Sequence, residues 1–216
     1  MNKPNIITYG SYLSYTPKPL SEEAAKAFDI RLKIKNFEMI NQHHSFIDYY
    51  VEHMAKRLNQ LPFRGFFDPD AVLVPIPRSN VMREGDLWVA KEICKSLERN
   101  RLGKTYKLLL RGKSLRASSR SSPEERPTPF EHYQSLDLVT KLTAVQRVVL
   151  VDDFITRGHT ALGSAWRILD GYPDAEIVVF ALVRTVSNPA EFRSLIDPRK
   201  GTIEYRPDIG DALRRP

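Results

Sequence analysis

Two adjacent carboxylates, followed by a short stretch of hydroxyl and glycine residues, make residues 147–160 the part of the sequence best suited to chemistry. Asp152 and Asp153 come directly after an apolar, β-branched run at residues 148–151, which predicts a strand buried on both faces. Gly158 precedes a segment of apolar periodicity, residues 161–169, which predicts a helix. The order is therefore a strand, two acids, a tight turn and a helix N-terminus.

This order suits a ligand with a phosphate at one end and hydroxyl groups at the other. Backbone N–H groups at a helix start bind phosphate, and the hydroxyls of Thr156 and Thr160 are additional donors. Adjacent carboxylates repel a bare phosphate, but they accept hydrogen bonds from vicinal hydroxyls nearby. Asp152, Asp153 and the following loop thus fit a ribose 5-phosphate. The alternative is an ordinary strand end with a solvated acidic pair and a helix cap.

The stretch resembles the signature of the type I phosphoribosyltransferases, in which an apolar strand, two acids and two variable residues precede Thr-x-Gly-x-Thr. The resemblance implies binding of phosphoribosyl pyrophosphate (PRPP) with Mg²⁺. It implies that Asp152 and Asp153 are catalytic and hold the metal indirectly. The residues that it implies for the 5-phosphate of PRPP are Thr156, Arg157, Gly158, His159 and Thr160.

A second loop, residues 75–79, follows a predicted strand at residues 71–74. In the family that this chain resembles, the corresponding loop presents backbone N–H groups to the pyrophosphate, and here Arg78 would add a charge-assisted contact. The pyrophosphate-binding residues implied in this way are Ile76, Pro77, Arg78 and Ser79. Residues 74–97 are also similar to the corresponding region of the ComF-type phosphoribosyltransferases, a branch associated with DNA uptake. Taken alone, the loop is more typical of a plain turn.

Residues 112–129 are polar and basic, lack periodicity and are too long for a simple connection, which predicts a mobile functional loop. By the resemblance, this loop closes over PRPP. The candidates to neutralise the departing pyrophosphate are Arg111, Lys113, Arg116 and Arg120. Arg184 follows a predicted strand at residues 177–183, and it is a candidate to lie near the base.

Alternating strands and helices predict an α/β fold with a doubly wound, mostly parallel sheet and helices on both faces, like that of the type I phosphoribosyltransferases. Ligands of such sheets bind at the carboxyl ends of the strands, where the acidic pair and both loops would meet. We expect a core at residues 66–186. Residues 1–65 would form a helical or irregular hood or docking segment, and residues 187–216 a C-terminal extension.

Local patterns place further elements. Ser45 and Asp48 form a capping-box-like start for a helix at residues 45–59, and Ser21 is placed to cap a short helix ending near residue 28. A helix is also predicted from about residue 81 to 97, and a strand at residues 107–110. The first twenty residues are rich in Tyr, Ser and Pro, which predicts an extended, irregular lead-in.

Composition sets limits on the protein class. The 216 residues include 42% hydrophobic residues and a single cysteine, Cys94, as expected for a globular protein in a reducing cytosol. Neither a membrane-spanning stretch nor a signal peptide is visible, so a cytoplasmic location without a membrane partner is expected. The net charge of +7 favours an anionic partner. Basic residues between 99 and 120 occur without an intervening acid and make nucleic acid a candidate partner.

The sequence therefore favours a phosphoribosyltransferase that transfers the phosphoribosyl group to an unidentified, nitrogenous acceptor and releases pyrophosphate. The alternative is a non-catalytic PRPP-sensing or nucleic-acid-binding protein of the same fold, acting as a regulator or as an adaptor in a DNA-handling assembly. A homodimer or larger assembly is also expected. The acceptor stays undetermined, although the tail offers Tyr205 for stacking and Asp208 and Asp211 as hydrogen-bond acceptors.

Overall fold

The structure of the protein is a computed structural model that describes residues 3–116, 126–139, 142 and 145–216. Its strands, in chain order, are β1 (Ile6–Tyr15), β2 (Met39–Asn41), β3 (His44–Ser45), β4 (Val72–Pro75), β5 (Lys104–Thr105), β6 (Leu109–Arg111), β7 (Leu136–Leu138), β8 (Arg147–Ile155), β9 (Glu176–Thr185), β10 (Ile196–Arg206) and β11 (Asp211–Arg215). Its α-helices are α1 (Glu22–Lys35), α2 (Phe46–Ala55), α3 (Val89–Arg99), α4 (Pro129–Gln134) and α5 (His159–Gly171).

The central sheet of the described residues has the strand order β11-β10-β1-β9-β8-β4-β5. Strands β1, β9, β8, β4 and β5 are parallel to one another. Strand β10 pairs antiparallel with β1, and β11 pairs antiparallel with β10, so these two strands extend the sheet beyond β1. Helix α3 connects β4 to β5, and α5 connects β8 to β9, as parallel neighbours require. The predicted fold class, a doubly wound and mostly parallel sheet, is confirmed.

Strand β8 shows why the core has two layers. Successive side chains of a strand point to opposite faces. Val149 and Val151 accordingly pack in the apolar cluster that includes α1, α2 and α3, whereas Val148 and Leu150 pack in the cluster that includes α5. All four side chains are fully buried. Burial on both faces accounts for the continuous apolar run in the sequence.

The N-terminal lead-in predicted as irregular is a regular strand of the central sheet. Strand β1 aligns Thr8 with Val178 of the parallel β9 and Ile7 with Ile203 of the antiparallel β10. Tyr9 is fully buried like most of the strand, because aromatic side chains fit well on a pleated, buried surface. Segments from both flanks, β1 before residue 65 and β10–β11 after residue 187, thus belong to the central sheet.

The helix starts follow their caps. Ser45 and Asp48 form the predicted capping box at α2, with the Ser45 hydroxyl accepting from the Asp48 N–H at 3.1 Å. Ser21 caps α1 as predicted, but that helix continues to Lys35. Helix α3 begins at Val89, eight residues later than predicted, because Gly85 has a φ of +86° and ends any helical run before it.

Two strand predictions need correction. Residues 107–110 were expected to form the second strand of the sheet, yet β6 pairs antiparallel with β7 outside that sheet. The edge position beside β4 is taken by β5 instead. Strand β8 was expected to end at residue 151, but it continues to Ile155 because β9 supplies partners along its whole length.

Candidate active site

Asp152 and Asp153 lie within β8, near its carboxyl end, rather than beyond the strand as predicted. Oδ1 of Asp152 accepts the N–H of Asp153 at 2.9 Å, and Oδ1 of Asp153 accepts the N–H of Phe154 at 2.9 Å. The two carboxylates face different cations, since the charge of Arg111 acts on Asp152 and that of Lys35 acts on Asp153. The strand therefore fixes both acids in position.

A cavity of about 380 Å³ opens beside the acidic pair. Its wall consists of Asp152 and Asp153, residues 76–78 of the loop after β4, residues 87–90 at the start of α3, and residues 35 and 36 at the end of α1. The structure thus brings together the acidic pair and Ile76, Pro77 and Arg78, which the sequence predicted to share one edge of the sheet. Ser79 directly follows these residues and is half-buried.

Burial raises the pKa of both carboxyl groups. The charge of Asp153 adds to this effect at Asp152, and Arg111 only partly opposes it. At Asp153, hydrogen bonds and the charge of Lys35 keep the rise in pKa smaller. Two crowded carboxylates are a suitable donor set for Mg²⁺, which is commonly held by one or two carboxylates plus oxygens of the ligand. Within the described ranges no group of three His, Cys, Asp or Glu residues could hold a metal ion, so a cation here would need those ligand oxygens.

The 76–79 loop is fixed to its neighbours by backbone hydrogen bonds. The Ile76 N–H donates to Val151 O at 2.8 Å, and the indole N–H of Trp88 donates to Ile76 O at 2.8 Å. The Arg78 side chain is exposed and donates through Nη1 to Leu87 O at 3.0 Å. The N–H groups of residues 78 and 79 donate to no acceptor in the described part of the chain.

Arg111 differs from its prediction as a mobile-loop cation. It belongs to β6 and its side chain is buried, with 4% relative exposure. Nε donates to Arg78 O at 2.8 Å, and Nη2 donates to Pro77 O at 3.2 Å. Nη1 donates to the Ser135 hydroxyl and, at 3.4 Å, to His132 O. The guanidinium therefore contacts the back of the 76–79 loop.

The other cations predicted for the mobile loop are placed differently. Lys113 and Arg116 are exposed near the start of the segment, and Arg120 lies outside the described residues. The Leu115 N–H donates to Ser79 O at 2.8 Å, which connects this segment to the 76–79 loop. Contact of Lys113, Arg116 or Arg120 with pyrophosphate stays a prediction.

The 156–160 loop forms the predicted turn into a helix. Gly158 is the N-cap of α5, with a φ of +93° that L side chains rarely adopt. A Cβ at this position would lie 2.6 Å from Cγ2 of Ile203 on β10, so glycine is also required by space. In the described structure the N–H groups of residues 157–160 donate to no acceptor, and they stay available to a ligand.

The side chains of this loop are already engaged. Asp211 on β11 accepts from Nε2 of His159 at 2.6 Å and from Arg206 at 2.5 Å, and it lies 3.5 Å from Nη1 of Arg157. The Thr156 hydroxyl lies 2.9 Å from that of Thr185. The Asp211 carboxylate is therefore shared by three side chains of this region.

Arg214, also on β11, ties the same loop to the sheet. Its guanidinium donates to Thr156 O at 2.7 Å, to Thr185 O at 2.6 Å and to the Tyr9 hydroxyl at 2.8 Å. At the helix side, the Thr160 hydroxyl lies 3.4 Å from Nε2 of His132, whose burial lowers its pKa to about 3. This imidazole is consequently neutral near neutral pH.

Arg184, the candidate for a place near the base, is buried and forms an ion pair with Asp197 of β10. Arg199 shares the same carboxylate at 3.2 Å. The Arg184 charge is therefore satisfied inside the sheet, and contact with a base stays a prediction. Tyr205, the tail's candidate for stacking, already packs edge-on against Trp166 at 4.9 Å.

The basic tract at residues 99–120 does not form a uniform surface. Arg99 pairs with Asp48, and Lys104 pairs with Asp70 at 2.9 Å. Arg111 is buried. Nucleic-acid binding through this tract stays a prediction, as does assembly into a homodimer. Of the helices in the described ranges, none has the length and apolar character needed to cross a membrane.

Sequence reasoning missed three contributors to the site. Lys35 and Asn36 reach the cavity from the end of α1, which was expected to end before them. Arg214 was not singled out at all, since an arginine near a basic C-terminus is indistinguishable from a solvated one by residue type. Residues 211–215 show no alternation of apolar and polar residues, so the sequence carried no strand signal that could have placed Arg214.

Comparisons with known proteins give little more. Among solved structures, the chain is similar to a hypoxanthine phosphoribosyltransferase from Staphylococcus aureus, with 9% sequence identity over 68% of each chain and a TM-score of 0.36. No protein-family model and no curated protein matches the sequence. A likeness of this size assigns neither a family nor an activity to the chain, and its function has to be inferred from its own residues.

Proposed function

We propose that the protein binds PRPP together with Mg²⁺ and transfers the phosphoribosyl group to a nitrogenous acceptor, with release of pyrophosphate. The observation that supports this most is that two carboxylates and residues 76–78 line one cavity at the carboxyl edge of parallel strands, and that the free N–H groups of residues 157–160 follow the same strand along the chain. Ligands of doubly wound sheets bind at this edge. The arrangement offers one place for hydroxyls and two places for anions.

Each part of the site would bind one part of PRPP. Asp152 and Asp153 would accept hydrogen bonds from the two ribose hydroxyls. The N–H groups of residues 157–160 would bind the 5-phosphate, and the 76–79 loop would bind the pyrophosphate. Mg²⁺, when bound, would supply positive charge that offsets the charge of the departing pyrophosphate, and Asp152 and Asp153 are the residues that would hold it in place.

In the reaction, the C1–O bond to pyrophosphate breaks and a bond from C1 to the acceptor nitrogen forms. Pyrophosphate leaves with the electron pair, and the acceptor loses a proton. The protein contributes orientation and stabilisation of the departing charge. One of the two carboxylates, Asp152 or Asp153, would accept that proton.

Calorimetric titration of PRPP with Mg²⁺ tests the proposal. We expect tight binding to the wild type and a loss of about 100-fold or more in Asp152→Asn/Asp153→Asn, because the amides no longer hold the cation or accept from the hydroxyls as strongly. The control is Asp68→Asn/Asp70→Asn, which changes two acids just before β4, at the opposite edge of the sheet.

The outcomes separate three cases. Metal-dependent binding that persists in the Asp152→Asn/Asp153→Asn variant would overturn the assignment of the site. Binding that is lost there and kept in the control supports the site, and pyrophosphate release is then assayed with purine and pyrimidine bases. Tight binding without release for any acceptor would favour a PRPP sensor over a transferase.

A further inference from the structure

Arg111 is a buried cation that lacks a carboxylate partner. Burying a charge is costly unless it is paired, and buried arginines usually have an acid beside them. Arg184 follows that rule, because it is equally buried and bonds to Asp197. Arg111 forms no ion pair with the described residues, and all its acceptors there are neutral oxygens. Asp152 acts on Arg111 through its charge alone, so the hydrogen bonds of the guanidinium call for a reason other than pairing with an acid.

The acceptors of Arg111 come from two separate segments. Two are consecutive carbonyl oxygens of the 76–79 loop, Pro77 O and Arg78 O. The others are His132 O in α4 and the Ser135 hydroxyl directly after it. The planar guanidinium can donate to both segments at once, which an ammonium group cannot do with the same fixed geometry.

The contact with two consecutive carbonyls determines where the loop's N–H groups point. In an extended chain, successive carbonyls point in opposite directions. Here both point towards one guanidinium, so the two peptide planes are turned to the same side. The described peptide bonds are all trans, and in a trans peptide the N–H points opposite to the C=O. The N–H groups of Arg78 and Ser79 consequently both point away from Arg111.

Successive N–H groups on one side of the chain form a concave nest that binds anions. These two N–H groups have no acceptor among the described residues, and the loop that carries them lines the cavity beside the acidic pair. We propose that Arg111 is a positioning residue for pyrophosphate, which it never touches, because it turns the Arg78 and Ser79 N–H groups into the cavity. This inference rests on the proposed function of the 76–79 loop.

The test compares two ligands, pyrophosphate and ribose 5-phosphate, which would occupy different ends of the site. Arg111→Lys keeps the positive charge but cannot hold both carbonyls. We expect its affinity for pyrophosphate with Mg²⁺ to fall by about tenfold or more, while its affinity for ribose 5-phosphate stays within about twofold of the wild type. Isothermal titration with both ligands measures this. A general loss of structure would lower both affinities together.

The matched control is Arg167→Lys. Arg167 also donates to a carbonyl of α4, Tyr133 O at 3.0 Å, but it is bonded to Asp170 and does not contact the 76–79 loop. We expect unchanged affinity for both ligands. Ser135→Ala keeps the guanidinium and removes one of its acceptors, so it should lower pyrophosphate affinity by a smaller factor in the same direction. This variant tests the inference if Arg111→Lys does not fold.

The amide signals of the wild-type protein provide a second test that depends on no substitution. Saturation with pyrophosphate should shift the ¹H–¹⁵N amide signals of Arg78 and Ser79 downfield, since both would become hydrogen-bond donors. Unshifted signals with bound pyrophosphate would overturn the inference, as would an unchanged pyrophosphate affinity or an equal loss of both ligands in a folded Arg111→Lys. If the wild type bound neither ligand, the proposed function itself would fail.

Discussion

The 76–79 loop and the 156–160 loop both present free N–H groups at the carboxyl edge of the sheet, but the charges behind them differ. Behind the first lies Arg111, which has only neutral oxygens as hydrogen-bond partners among the described residues. Behind the second, Arg157 and His159 are paired with Asp211 of the C-terminal hairpin, the unit formed by β10 and β11. The first loop is held by one buried guanidinium, whereas the second is held by a network that contains the Asp211 carboxylate and the Arg214 guanidinium.

This difference indicates which anion each loop suits. The buried guanidinium of Arg111 adds a positive field behind the 76–79 loop, which the charge of Asp152 partly offsets, and a positive field favours the more highly charged group. Pyrophosphate carries more charge than a phosphate monoester, so it fits the 76–79 loop. The 156–160 loop offers N–H groups at a helix start beside the carboxylate of Asp211, which suits a single phosphate. Under the proposed function, this difference favours the pyrophosphate of PRPP at the 76–79 loop and its 5-phosphate at the 156–160 loop.

The largest effect should come from Gly158→Ala, which disturbs the contact between the 156–160 loop and β10. The alanine would carry a positive φ and place its Cβ 2.6 Å from Ile203. We expect the free energy of unfolding to fall by about 3 kcal/mol, from strain and overpacking together. Urea denaturation measures it. Gly210→Ala is the control, since Gly210 also has a positive φ but open space around it, and it should cost only about 1 kcal/mol.

Arg214→Met should have an intermediate effect, confined to the phosphate end. It removes the hydrogen bonds to Thr156 O, Thr185 O and the Tyr9 hydroxyl while keeping much of the apolar stem. We expect a loss of about 2 kcal/mol in stability and weaker binding of ribose 5-phosphate, with pyrophosphate binding unchanged. Titration of both ligands tests the independence of the two ends. Arg215→Ala, whose partner Glu204 is a surface acid, should change neither affinity.

The smallest effect should be a pH-dependent one at Asp211. Burial acts to raise its pKa, but hydrogen bonds from Ala212, His159 and Arg206 outweigh it and lower the pKa. Because the folded pKa is lowered, this carboxylate stabilises the fold when the pH is above its unfolded pKa of about 3.9. The contribution is lost as the pH falls through the folded pKa.

Asp211→Asn should therefore unfold about 1 kcal/mol more easily than the wild type at pH 7. The difference should shrink as the pH falls below about 4, because the wild type then loses the same interactions. Denaturation curves from pH 7 to pH 3 measure it. Asp208→Asn, in the exposed turn of the hairpin, should show no such convergence. A constant difference at every pH would show that the charge of Asp211 contributes nothing.

Much of the 156–160 loop was predictable from the sequence because its signals are local. The apolar run of β8, the acids that follow it and the glycine before α5 are all contained in one short stretch, and each acts on its immediate neighbours. The capping box of Ser45 and Asp48 was predictable for the same reason. Patterns of this kind depend on residue type and spacing alone.

The surroundings of both loops were not predictable, since they depend on partners far along the chain. Arg111 has the composition of a loop cation, and only the carbonyls of residues 77, 78 and 132 make it a buried residue. Similarly, β1 has the composition of an irregular segment until β9 and β10 are placed on either side of it. Local propensity gives no information about such long-range partners.

The position of β1 also constrains the order in which the protein folds. Thr8 pairs with Val178, so the first strand of the chain finds its partners only near the far end. Closing so long a loop costs chain entropy before any contact compensates for it, and contacts of this kind form slowly. During synthesis, β4, β5 and β8 emerge well before β9 does. Until then β1 is an unpaired edge rich in aromatic residues, and this stage is the one most exposed to aggregation.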